Sequence, residues 1–269
     1  MIRAGPPFLA GLLTVLLLGT ASARDRGVDG HFSHRRSSHF VLYQDVAIQR
    51  YSGPLGSRQF ERDVLEVLEE SYDRLAGVLG VRPHRPVDVV VYDPAVFDGQ
   101  FANLFGFRAA GFYHGVIRIR GGTRISTELV RTLHHEYVHA ALDGAAPGVT
   151  LPAWLNEGLA EYFEGLAIGK RRLSRGELVV LGEAQRQGAL PPLAAMSGTS
   201  FAPLAQEQAS LAYLKSYALI EYLVRGYGEA GLRRFVAQVL RTGNVERAAE
   251  RTFRQSTAEL ESSLHGELQ

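Results

Sequence analysis

The sequence predicts an α+β protein in which a lobe containing a small sheet is followed by a mainly helical lobe. Three segments of the first lobe alternate between apolar and polar residues or are rich in β-branched residues, as strands are. They are residues 39–43, 87–92 and 110–120. From residue 126 onward the apolar residues recur at helical spacing. We therefore expect one folded unit over residues 39–269, with the α+β lobe at about 39–165 and the helical lobe at about 166–269.

The chain before residue 39 is predicted to lie outside this unit. Residues 1–23 have the layout of a secretory signal, with an early arginine, an apolar run and small residues before a cleavage point. The apolar run is short for a membrane span. Residues 24–38 are rich in Arg, His, Gly and Ser and are predicted to be a flexible lead-in. We expect the mature protein to be exported and soluble.

Local signals also give the order of the helices. The predicted helices are 57–79, a short one from 94, 126–143, 154–162, one around 177–186, and several between 203 and 265 with breaks near 226–228 and 243–244. Ser126 or Thr127 can cap the third of them, and Glu128 is favourable in its first turn. The helix at 57–79 ends at Gly80.

Composition excludes several classes of partner and of stabilising bond. The 269 residues include no cysteine, so neither disulfides nor a lipid-modified cysteine can anchor the exported protein. The formal charge of +1 falls to about zero once Arg3 leaves with the signal. We therefore expect neither nucleic acid nor an anionic membrane as the main partner. After the signal, the sequence offers no run apolar enough to span a membrane.

The segment His135–His139 carries the residue types of a metal site. Residues four apart lie on the same face of a helix, so His135 and His139 can reach one ion. Glu136 lies next to that face, where a carboxylate can act as the general base toward water. A catalytic zinc takes three protein ligands and leaves its fourth position to water. One more histidine or carboxylate must therefore come from elsewhere in the chain.

The segment Trp154–Tyr162 supplies a candidate for that ligand, Glu157. Residues 140–145 contain no histidine, which excludes the pattern that places a third histidine soon after the second. Alternatively, the motif at His135–His139 arises by chance and Trp154–Tyr162 is an ordinary amphipathic helix with solvated glutamates. The presence of both segments in this order favours the metal site.

Together these two segments resemble the gluzincin metallopeptidases, particularly the aminopeptidase N-like and peptidase MA-like families. The resemblance implies a small mixed sheet with an edge strand before the zinc helix, one Zn²⁺ per chain, and Glu157 as the third ligand. It also implies that Asn156 and Glu161 orient the zinc histidines through their second ring nitrogens. The alternative for Asn156 and Glu161 is a solvated helix face.

Residues 211–218 resemble the family segment that donates a tyrosine to the active site. Such a phenol would stabilise the oxyanion formed when water attacks the scissile carbonyl. Alignment on the later segment Tyr227–Glu229 favours Tyr213, and Tyr217, one turn on, stays open. Packing of both tyrosines in the core is the alternative.

The family resemblance also suggests a function for the strand before the zinc helix. In the related peptidases it lies at the sheet edge and pairs with the substrate backbone. The residues expected to do so are Ala110, Gly111, Phe112 and Tyr113. An ordinary strand with a bend is the alternative. Related aminopeptidases hold the substrate amino terminus with an acidic residue in this strand. Residues 110–120 contain none, so aminopeptidase activity is disfavoured unless Glu164 substitutes.

The sequence therefore predicts an exported zinc-dependent metallopeptidase that acts on a peptide or protein substrate through water activated by Glu136. One alternative is a non-catalytic peptide-binding module on the same fold, which a missing ligand or base would mark, and the sequence lacks neither. Another is a zinc hydrolase of a non-peptide amide such as a cell-wall crosslink. Strand pairing with a peptide backbone weighs against this last alternative.

Overall fold

A five-stranded mixed sheet forms the first part of the protein, whose computed structural model describes residues 31–101, 110–122 and 124–268. The strands are β1 Phe32–Arg36, β2 Phe40–Asp45, β3 Val87–Tyr92, β4 Gly111–Tyr113 and β5 Ile117–Arg120. Their order across the sheet is β1-β2-β3-β5-β4. The central strands β2, β3 and β5 are parallel, whereas β1 and β4 pair antiparallel at the two edges.

Helices make up most of the remainder. They are α1 Val46–Leu79, α2 Pro94–Phe101, α3 Thr127–Ala145, α4 Ala153–Ala167, α5 Arg175–Arg186, α6 Gln206–Thr242, α7 Val245–Phe253 and α8 Thr257–Glu267, with a 3-10 turn at Leu193–Met196. The predicted α+β class and its helical second part are confirmed. Both predicted breaks are present, because Gly228 leaves helical geometry inside α6 and Gly243 ends α6 at φ +66°. Among these helices, none combines the length and apolarity that a membrane crossing requires.

Two segments near the N-terminus are more regular than the sequence indicates. Part of the predicted lead-in forms β1, which pairs with β2 and sets the Phe32 ring edge-on to Tyr92, with centroids 5.9 Å apart. An edge strand tolerates polar residues, so its composition resembles that of a tail. The helix predicted from residue 57 begins at Val46, because Gly53 and Pro54 obscure its periodicity. The predicted signal, residues 1–23, lies outside the described residues.

The segment predicted as one strand over residues 110–120 is the hairpin β4–β5. Gly115 in its turn has φ +69°, a conformation that favours glycine. β4 lies at the edge of the described sheet, as expected for residues 110–113, whereas β5, the strand directly before α3, lies between β3 and β4. Residue 111 has no room for a side chain. A Cβ there would lie 2.7 Å from the Arg118 carbonyl oxygen and 3.1 Å from a Thr132 methyl of α3. The small size of Gly111 lets the sheet and α3 pack closely.

Successive packing of α3, α4 and α6 builds the part of the core that surrounds the candidate site. α3 lies against β4, β5 and α1, α4 packs on α3, and α6 packs on the other side of α4. Apolar side chains such as Leu133, Leu159 and Ile220 are fully buried between these helices. At Gly158 the helices α4 and α6 come so close that a Cβ would lie 2.7 Å from the Ser216 carbonyl oxygen.

Gly158→Ala should therefore destabilise the protein. The added methyl would meet backbone at 2.7 Å and the Ile220 side chain at 3.0 Å, so α4 and α6 must separate. We expect a loss of about 1–3 kcal/mol in the free energy of unfolding, as for other overpacked cores. Denaturant unfolding of the metal-free protein measures it. Gly176→Ala in α5 is the matched control, because the nearest atom to its Cβ is 4.0 Å away. Equal stability of the two variants would contradict the prediction.

Candidate active site

α3 carries the predicted motif on its buried face. Ser126, one of the two predicted caps, accepts a hydrogen bond from the Leu129 amide at 3.1 Å and fixes the start of the helix. Two turns further on, the rings of His135 and His139 lie with centroids 5.0 Å apart. Both histidines and Glu136 are buried. The helical spacing of the motif therefore places its three functional groups together inside the protein.

α4 brings Glu157 to the two imidazoles. One Glu157 carboxylate oxygen lies 3.4 Å from Nε2 of His135 and 3.6 Å from Nε2 of His139. Zinc bonds of about 2.0–2.1 Å at tetrahedral angles separate ligand atoms by about 3.3 Å. The three atoms lie within 4.8 Å of one another and could hold one metal ion. The third ligand predicted from sequence is thus in place to bind the same ion as the histidines.

Unpaired buried atoms at the site also fit a metal ion. Among the described residues, Nε2 of His135, Nε2 of His139 and both carboxylate oxygens of Glu136 have no hydrogen-bond partner. Leaving a buried polar group unpaired costs about 1–3 kcal/mol. A cation between the two nitrogens and a water beside Glu136 would satisfy all four atoms. Two imidazoles and a carboxylate are also a donor set that catalytic zinc uses.

The second ring nitrogen of His139 is held by the amide predicted for that role. His139 Nδ1 lies 3.1 Å from the Asn156 side-chain oxygen. An amide oxygen can only accept, so Nδ1 carries a proton, and Nε2 is the nitrogen that faces Glu157 and is left for a metal. Asn156 precedes Glu157 on α4, so one turn of helix supplies both a ligand and a support for the other ligand.

His135 is held by a carboxylate, but by Glu164 and not by Glu161. His135 Nδ1 lies 2.9 Å from one Glu164 oxygen, and the other Glu164 oxygen accepts from Arg131 Nε at 2.6 Å. Glu161 and Glu164 both follow Glu157 on the inner side of α4, and rotation of that helix selects Glu164 for His135. Arg131, one turn before His135 on α3, completes the contact. The sequence analysis gave neither Glu164 nor Arg131 this role.

Glu161 lies beside His135 and Glu164, but its carboxyl group differs in charge from that of Glu164. A ring nitrogen of His135 and carboxylate oxygens of Glu161 and Glu164 lie within 4.8 Å of one another. Burial raises the pKa of Glu161 to about 8, and the adjacent Glu164 carboxylate acts in the same direction. Glu161 is therefore mainly neutral at pH 7 in the metal-free protein. In contrast, the pKa of Glu164 is lowered, because His135 and Arg131 outweigh the effect of burial.

Glu136 has the properties of a general base. Burial raises its pKa to about 6, against the opposing effect of the two protonated imidazoles. A base with a pKa close to the working pH combines the ionised form with useful basicity. The backbone amide of Tyr113 on β4 is near enough to favour the ionised form. The candidate base thus lies between α3 and the edge strand.

The three candidate ligands shift one another's pKa values, so that all three carry a charge in the metal-free protein. Burial raises the pKa of a carboxylate, but His139 and His135 together hold the pKa of Glu157 at about 2. Burial lowers the pKa of each histidine, yet the carboxylates around them outweigh it and raise both values. The three groups are therefore close enough for each to determine the charge of the others.

Tyr213 and Tyr217 are both buried on α6, but they face different groups. Burial raises the pKa of each phenol. At Tyr213 the next largest contribution comes from the Glu157 carboxylate, and Glu136 also contributes. At Tyr217 the next largest comes from Glu221, and Glu161 contributes less. The third ligand and the candidate base both act on Tyr213, which makes Tyr213 the better candidate for a role at the site.

Tyr217 has a packing environment of its own. The Lys170 ammonium group lies 4.2 Å above its ring, and the Tyr162 ring lies 6.0 Å away. A Cβ at Gly165 would lie 3.2 Å from the Tyr217 ring. These contacts on three sides suit a structural role between α4 and α6.

The edge strand β4 packs against α3, the helix that carries the two histidines. The Tyr113 hydroxyl donates to Asp143 at 2.7 Å and ties the end of β4 to the end of α3. The Phe112 ring is buried against Phe97 and Phe101, with centroids 6.1 and 5.0 Å away. The Phe112 side chain points into an aromatic cluster and the Tyr113 hydroxyl is bound to Asp143, so the edge at residues 110–113 offers mainly its backbone.

In a comparison with known protein families, one family model matches the part of the chain that contains this site. The family model described as Peptidase MA superfamily matches residues 68–266, which include α3, α4 and α6. Comparison with curated proteins gives no match.

The pH dependence of metal binding follows from the two imidazoles. In the metal-free protein their pKa values are raised, and each must lose its proton before Nε2 can bind a metal. We expect the affinity for added zinc to fall as the pH falls, and binding near neutral pH to release protons. Calorimetry in buffers of different ionisation enthalpy counts those protons. His84→Gln, at an exposed histidine, should leave the count unchanged. A pH-independent affinity would rule out these ligands.

Proposed function

Because the chain belongs to the Peptidase MA superfamily, we propose that it is a zinc-dependent metallopeptidase of the gluzincin type. The observation that carries this proposal is the convergence of His135, His139 and Glu157 on one point, with Glu136 beside them. These residues come from two helices, and an ordinary buried core offers no reason to gather two imidazoles and two carboxylates without a ligand.

The residues around the site have separate tasks in peptide hydrolysis. His135, His139 and Glu157 would hold a zinc ion, which would act as a Lewis acid and lower the pKa of a bound water. Glu136 accepts the proton from the attacking water and can pass it to the leaving amine, as its pKa of about 6 allows. Tyr213 donates its hydroxyl proton in a hydrogen bond to the carbonyl oxygen as negative charge develops there.

The substrate is a peptide or protein that pairs with β4. An extended peptide can add to the outer edge of that strand through backbone hydrogen bonds. Glu164 was the residue that could substitute for the missing acidic residue of the strand, but its two oxygens contact His135 and Arg131. It is therefore not available to bind a substrate amino group. We infer that cleavage does not depend on a free amino terminus.

We propose that the mature peptidase acts outside the cytoplasm. The layout of residues 1–23, which is typical of a secretory signal, supports this proposal. The chain has no cysteine, so oxidising conditions there would leave its covalent structure unchanged.

Glu136→Gln should abolish turnover and retain zinc, since it removes the base and spares the three ligands. We expect a loss of at least about 10²–10⁴-fold in the rate of cleavage, the typical contribution of general base catalysis. Mass-spectrometric profiling of a diverse peptide mixture measures cleavage, and metal analysis measures zinc. Glu128→Gln is the matched control, because Glu128 is exposed at the start of the same helix.

Two outcomes of this profiling would contradict the proposal. Undiminished cleavage by Glu136→Gln would exclude Glu136 as the base. Zinc binding without cleavage by the unmodified protein would favour the peptide-binding module or the hydrolase of a non-peptide amide. The positions of the cuts would also show whether the enzyme trims ends or cleaves internally.

Tyr213→Phe and Tyr217→Phe should separate the two candidate tyrosines. Removing the Tyr213 hydroxyl should lower kcat by about 10²–10³-fold with little change in KM, as for other oxyanion donors. Tyr217→Phe should have little effect, because the Tyr217 ring and its contact with Lys170 remain. Steady-state kinetics on one cleaved peptide tests both. A larger loss in Tyr217→Phe would reverse the assignment.

A further inference from the structure

We propose that Arg131 is a positioning residue for the metal, acting through Glu164 on His135. The inference rests on the proposed function, since it concerns the same zinc site. No motif of the sequence identifies Arg131, which lies on α3 one turn before His135. Its role follows from a continuous line of contacts from the protein surface to the ligand nitrogen.

The line of contacts has two short steps. Arg131 Nε donates to one Glu164 oxygen at 2.6 Å, and the other Glu164 oxygen lies 2.9 Å from His135 Nδ1. Both oxygens of the carboxylate are engaged, so its plane is fixed by two partners at once. The His135 ring then has one orientation, with Nε2 directed toward Glu157 at 3.4 Å.

Charge makes Arg131 necessary for this arrangement. The Glu164 side chain is only 4% exposed and lies beside Glu161. An isolated carboxylate at that depth is unfavourable, so without a cation beside it Glu164 would turn away from His135. Arg131 is 31% exposed, which leaves its guanidinium partly hydrated while it pairs with the buried carboxylate.

The two histidines are therefore supported differently. Asn156 holds His139 with a neutral amide oxygen, whereas an ionised carboxylate holds His135. A carboxylate acceptor makes the opposite ring nitrogen the more basic ligand. Arg131 keeps that carboxylate in place, and so the strength of the His135 bond to zinc depends on a residue that touches neither.

Zinc affinity of the mature protein, measured by competition with a chelator, tests the proposal. We expect Arg131→Met to bind zinc about 10-fold more weakly, the lower limit for loss of such an outer contact. Arg131→Lys should recover part of the loss. Arg35→Met is the matched control, because Arg35 is 36% exposed and pairs at 2.7 Å with Glu61, which is 5% exposed. It removes an equivalent ion pair away from the metal.

A double-mutant cycle shows whether Arg131 acts through Glu164. Glu164→Gln alone should weaken zinc binding, and adding Arg131→Met to it should weaken binding little further. The visible spectrum of the cobalt-loaded protein should change in Arg131→Met and not in Arg35→Met. Additive losses in the cycle, or equal zinc affinity in Arg131→Met and Arg35→Met, would overturn the proposal.

Other results separate this inference from the proposed function. Weakened zinc binding in Arg131→Met supports the inference even if no peptide is cleaved. Failure of the unmodified protein to bind zinc would overturn the proposed function and this inference together. If Arg131→Met does not fold, Arg131→Gln keeps a donor without the charge, and unchanged zinc affinity in that variant would overturn the role of the charge.

Discussion

The close contact between α3 and α4 is the constraint on which the rest of the site depends. It places a Glu157 oxygen 3.4 and 3.6 Å from nitrogens that belong to another helix. α6 holds α4 from behind, and the contact at Gly158 leaves no room for a side chain. The same α6 carries Tyr213 toward the Glu157 carboxylate. One packing arrangement therefore fixes both the third ligand and the candidate oxyanion donor.

Four buried or half-buried glutamates at this contact differ in charge because their neighbours differ. Glu157 is ionised between two imidazoles, and Glu164 is ionised between His135 and Arg131. Glu161 has no such partner and is mainly neutral at pH 7. Glu136 has a pKa of about 6 and can exchange a proton near neutral pH. The sequence offers four identical side chains, and the packing gives each a different chemistry.

How far the site can be predicted from sequence depends on whether a position is set by one helix or by two. His135, Glu136 and His139 are placed by the period of a single helix, so their grouping follows from spacing. The prediction of Glu157 as the third ligand needed the segment Trp154–Tyr162 as well as the motif at His135–His139. The choice between Glu161 and Glu164 depends on how α4 is rotated against α3 and on the charge of Arg131, which no periodicity within α4 contains. The sequence analysis therefore predicted the grouping of His135, His139 and Glu157, which could hold one metal ion, and missed the contact of Glu164 with His135.

For the edge strand, too, a local pattern predicted the element, but the packing of its side chains appears only in the folded protein. This packing limits how β4 could recognise a peptide. Alternation predicted a strand before α3 but not the hairpin, whose turn is marked only by Gly115. In the folded protein the Phe112 ring is buried among aromatic side chains and Gly111 is packed against β5 and α3. Neither position can project a side chain at a bound peptide, so pairing with β4 would read the backbone of that peptide. If the protein binds a peptide in this way, selectivity for particular side chains has to come from residues outside these two positions of β4.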